Sequence, residues 1–210
     1  MRRSLFFLIA MIVLPTPALS AQSLWLGAKA GRSSAKLVDE DLGGRVAFTG
    51  GVSLTIEFTQ ALALQGEALY AEKGFVERPG DWEMQITYLE IPVLLRLAIP
   101  TKILVRPVIL AGVAWSLEVD CGGWTTPCAI IPPTPLPPIP LDCDEMRTDH
   151  LDMGWVVGGG LEFRVGRFSV TVEGRHTGGM IDIGRHYTFG NVQNETVAFL
   201  VGVGLPILRL

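Results

Sequence analysis

After residue 14 the chain has no uncharged apolar stretch near the ~20 residues that a membrane-spanning helix needs, although its mean hydropathy is high at +0.38. A helical membrane protein is thereby excluded, and the apolar surplus must sit in another kind of element. The one apolar run, Leu5 to Leu14, is too short to span and lacks a stop-transfer flank. It follows Arg2 and Arg3 and precedes the small residues Ala18, Ser20 and Ala21. Residues 1–21 therefore read as a secretory signal peptide and 22–210 as the exported domain.

Other shortages narrow the chemistry. Without Arg2 and Arg3 the 17 basic residues fall to 15 against 21 acidic, a net of −6 with no basic block, so nucleic acid is excluded as a partner class. His150, His176 and His186 are the only three candidates for a neutral-pH base. His176 and Ser169 fall on opposite parities of one segment, so no Ser–His pair forms, and His186 beside Tyr187 reads as a loop residue. "GWVVGGG" at 154–160 is followed by no helix and is not a dinucleotide loop. Cys121, Cys128 and Cys143, with Asp142, Asp144 and His150 nearby, match no zinc spacing. No catalytic residue, cofactor or metal is expected.

What the chain does have is period two. From Arg45 to Phe58 one parity reads Val46, Phe48, Gly50, Val52, Leu54, Ile56, Phe58, and the other Arg45, Ala47, Thr49, Gly51, Ser53, Thr55, Glu57. Eight such segments are expected, near 24–31, 45–58, 62–74, 84–97, 103–119, 151–165, 168–177 and 196–205. They exceed the five or six residues usual in globular sheets, and long connections alternate with tight turns. This is the layout of an eight-stranded antiparallel up-and-down transmembrane β-barrel, with short periplasmic turns and long extracellular loops. Closure is required because a lipid-exposed sheet edge would leave backbone amides without partners.

The charges set the register. One parity carries Lys29, Arg45, Lys73, Arg96, Arg106, Arg164 and Arg175 against Glu57, Glu67, Glu90, Glu118, Asp152, Glu162 and Glu173, while the other holds almost none, Glu72 excepted. Each basic residue at the lipid midplane would cost about 2–4 kcal/mol, so the charged parity faces inward. An eight-stranded barrel is narrow enough to be filled by side chains. The two sets are expected to neutralise one another in a closed polar plug. Inward Gly27, Gly51, Gly112, Gly158 and Gly160 leave room for the long chains. Glu57, Glu67, Glu90 and Glu173 could imitate paired catalytic acids, but the accompanying cations favour salt bridges.

The segment 120–149 is expected to be an extracellular loop. Six prolines between Pro132 and Pro140 favour an extended polyproline path with little pairing capacity. In an oxidising compartment two of Cys121, Cys128 and Cys143 are expected to form a disulfide, with Cys121–Cys143 and Cys121–Cys128 both open.

"YAEKGF" (70–75), "YLEIPVLLRL" (88–97), "VRPVILAGVAWSL" (105–117), "DMGWVVGGGLEF" (152–163) and "NETVAFLVGVG" (194–204) resemble the PorT-like porin family of outer-membrane β-barrel proteins. That resemblance implies a bacterial outer-membrane location. The expected function is a non-enzymatic structural or interaction barrel. Its partners would be outer-membrane lipid and an envelope or extracellular protein meeting the 120–149 loop. A narrow channel for ions or small solutes and a lipid-modifying enzyme are the alternatives.

Overall fold

The computed structural model describes residues 22–37, 43–77, 82–125, 139–141, 151–180 and 194–209. The eight period-two segments are all strands, and a short ninth, β6, joins them: β1 (Ser23–Leu37), β2 (Gly43–Glu57), β3 (Leu62–Glu77), β4 (Trp82–Ala98), β5 (Val105–Thr125), β6 (Ile139–Leu141), β7 (Leu151–Val165), β8 (Phe168–Gly179) and β9 (Asn194–Arg209). No helix occurs among the described residues. Each of β1 to β5 pairs antiparallel with the next, β5 then pairs with β7, β7 with β8 and β8 with β9. Pairing of β9 with β1, from Ser23↔Arg209 to Leu37↔Asn194, closes an eight-stranded barrel.

The alternation drives this architecture because each strand has two unlike faces. Leu26, Val52, Leu54, Leu95, Ile109, Val157, Val172, Val201 and Val203 are exposed on the outer wall, where hydrocarbon is the appropriate solvent. The intervening residues are buried in the interior. One end carries the tight connections 58–61, 99–104 and 166–167, with Gly166 at φ 62° in the last. That left-handed conformation suits glycine because it has no Cβ to clash.

Several expectations need correction. At the other, loop end the strands run past their expected limits, leaving 38–42 between β1 and β2, where a long connection was expected, and 78–81 between β3 and β4, where a moderate one was. Backbone pairing such as Gly43↔Val76 and Glu77↔Trp82 continues beyond the region of strict hydrophobic alternation, which is why the sequence pattern understated the strands. The fifth strand begins at Val105 rather than Ile103. A ninth, three-residue strand lies in the proline-rich segment, where little pairing capacity was expected: Ile139–Leu141 adds to the end of β5, with Pro140 opposite Trp124. Proline is tolerated there because an edge strand can spare one donor.

Some of the inward glycines serve a second purpose beside the expected one. At Gly51 and Gly160 a Cβ would strike the neighbouring strand's backbone, at the carbonyls of Ala68 and Val172. These glycines permit close strand approach in a tightly curved wall. Room for a long cation is provided at Gly202, where an added Cβ would lie 2.9 Å from Lys29 Cγ, and at Gly158, 3.0 Å from Arg175 Cγ.

Candidate functional site: ion layers in the barrel interior

Inward side chains meet in three layers along the axis. The central layer is a quartet from three strands. Lys29 Nζ on β1 lies 2.9 Å from Glu67 on β3 and 2.8 Å from Glu173 on β8, while Arg175, also on β8, sets Nη1 2.5 Å from Glu67 and Nη2 2.5 Å from Glu173. All four side chains are buried to within 5% exposure. Gln65 Nε2 donates to Glu67 at 2.6 Å. Two cations and two carboxylates thus satisfy each other where neither could be left alone.

Toward the tight turns a second layer is richer in cations. Glu162 lies 3.3 Å from Arg96 and from Arg164 and 3.4 Å from Arg106. Arg164 also pairs with Glu57, which accepts hydrogen bonds from Ser23 at 2.6 Å and from Trp25 Nε1 at 3.0 Å. The Arg164 guanidinium sits 4.9 Å from the Trp25 ring centroid. The third layer, near the loop end, holds Lys73, whose Nζ is 2.5 Å from Glu90 and 5.1 Å over the Tyr88 ring. Ser116 donates to Glu90 at 3.4 Å. Glu118 is opposite Tyr88, and buried Asp152 is opposite Ser116.

The interior holds charged side chains of both signs together with apolar ones. It is not uniformly polar: Leu94, Leu110 and Leu200 are its most deeply buried large side chains, and Leu94, Ala114 and Val156 pack together. Small cavities flank the quartet. One of about 30 Å³ on the tight-turn side is lined by Glu57, Arg96 and Glu162, and one of about 20 Å³ on the loop side by Lys73, Glu90 and Leu200. Each has room for one or two water molecules, and the quartet borders both, through Lys29 on the first and Arg175 on the second.

Of the expected site residues, Arg45 is placed by its backbone on β2 opposite Ala35, and its side chain lies outside the described residues. Cys121 is placed by its backbone opposite Ile86. Cys128 and Cys143 lie outside the described residues, as do His150 and His186. Trp25, Gln65 and Tyr88 are members of the network that the charge census missed. Their signal was an aromatic or amide on the polar parity of an otherwise small or charged face.

The outer wall also differs from expectation, since Glu72 is not its lone charge. Longer β1 and β9 bring Arg32 and Glu195 onto the outward face. His176 Nε2 lies 3.1 Å from Glu195 Oε1, and its ring centroid is 5.1 Å from that of Trp155, tilted by 50°. Ser169 is buried toward the opposite end of β8. The residues two positions either side of His176 are Gly174 and Gly178, which supply no nucleophile.

The comparisons agree with this geometry. Neisserial surface protein A shares 14% identity at a TM-score of 0.53, over 89% of this chain and 98% of that one. Outer membrane protein W of E. coli shares 12% at a TM-score of 0.50, over 90% and 99%. Both likenesses are of fold alone. None of the curated protein sequences compared matches the chain. Residues 6–205 match the family described as outer membrane protein beta-barrel domain. With its closed eight-stranded wall, apolar outside and ion-filled within, the chain belongs to that family and is a bacterial outer-membrane protein.

Proposed function

We propose that the protein is a non-enzymatic structural or interaction barrel, anchored in the outer membrane, whose lumen is a plug and whose loop end meets other molecules. The observation that carries this reading is the buried quartet of Lys29, Glu67, Glu173 and Arg175, with only a small cavity on either side. A hydrated ion would have to displace charges that are already compensated, at a high desolvation cost. The segment 120–149, anchored by pairing of β6 to β5, is the proposed contact for an extracellular or envelope protein.

The test is conductance of the purified, folded protein in planar bilayers. A closed trace is expected. Discrete current steps would replace the plug with the runner-up reading, a narrow channel, which the two flanking cavities favour. A lipid-modifying role makes a different prediction: cells overproducing the protein would show altered lipid A or phospholipid, and His176→Ala would abolish the change.

A further inference from the structure

We propose that Trp155, His176 and Glu195 form a docking patch on the outer wall for the saccharide headgroup of an outer-leaflet glycolipid. The inference rests on the outer-membrane location and goes beyond the plug reading, which assigns nothing to the outer wall. Three neighbouring strands build the patch in one register: Trp155 on β7 lies opposite Gly178 on β8, which lies opposite Glu195 on β9.

The middle position has to be glycine for this arrangement. An added Cβ at Gly178 would come within 2.5–2.6 Å of three atoms of the Trp155 indole, so the ring lies across the glycine and along the wall. Trp155 remains 40% exposed, and the side chains of His176 and Glu195 remain 32% and 47% exposed. The result is an aromatic surface bordered by an imidazole and a carboxylate that already touch each other. A pyranose presents the matching chemistry, with an apolar C–H face for the indole and hydroxyls for the polar pair.

Position selects the lipid-borne source. Below the patch the outward residues are apolar, Val157 on β7, Val172 on β8 and Val201 on β9. The patch lies near the ends of β8 and β9 at the loop end, where acyl chains give way to headgroups.

The experiment titrates the full mature chain, folded in detergent micelles, with rough lipopolysaccharide, its free core oligosaccharide, or phosphatidylglycerol, and follows tryptophan fluorescence. Lipopolysaccharide is expected to give a saturable change that Trp155→Phe largely removes. Glu195→Gln and His176→Ala should each weaken the apparent affinity about fivefold, the loss of one hydrogen bond of ordinary strength. An equal response to phosphatidylglycerol, equal affinity for the free oligosaccharide, or unchanged affinity in both polar variants would overturn the proposal. Each variant is first checked for the folded, heat-modifiable band. If the wild type itself lacked that band, the barrel reading would fail instead.

Discussion

Arg175 shows how strongly a single interior side chain can be constrained. It contacts Glu67 and Glu173 at once, and its removal leaves two buried carboxylates with Lys29 alone. Arg175→Leu should therefore destabilise the barrel by about 3–5 kcal/mol, read as a shift in urea unfolding in lipid vesicles. An unchanged midpoint would show that the quartet does not hold the wall. Gly160 makes a different kind of demand, because a side chain there meets the Val172 carbonyl. Gly160→Ala should cost about 1–3 kcal/mol by overpacking in the same assay, whereas Gly66→Ala, facing open space, should cost little.

For the elements, alternation alone revealed most of the wall. Each run was long enough to exceed a soluble strand, and its two faces differed in charge as well as hydropathy. Strand ends were less legible: β1 continues through Arg32 to Leu37 and β9 begins at Asn194, where the sequence no longer alternates. That is why the Glu195 partner of His176 was missed. Pairing across the lumen was also hidden. Lys29 meets Glu173 across 144 residues and Arg175 meets Glu67 across 108, and no local pattern chooses among seven cations and seven acids. Leu94 and Leu200 lay on the polar parity without a visible reason until barrel curvature brought the interior together. The outward assignment has its own test. Val201, 54% exposed on β9, faces lipid, so Val201→Arg should cost about 2–4 kcal/mol in vesicle unfolding. A neutral result would place that face elsewhere.

At the scale of the whole molecule, a closed sheet filled by its own side chains predicts a folded form that migrates differently from the boiled chain on gels, with a strand-dominated circular dichroism spectrum. Free solubility without detergent would contradict it. If the quartet is the barrier between the two cavities, then replacing Lys29 and Arg175 together by alanine should join them and produce current steps absent from the wild type. A trace that stayed closed would shift the barrier to Leu94 and Leu200. The β1–β9 pairing carries one more consequence. Because β1 is sealed by β9, the strand made last among those of the barrel wall, a nascent chain that stops short of β9 would offer two open edges to hydrocarbon. Insertion must therefore wait until β9 has been made, and the polypeptide has to reach the membrane still unassembled.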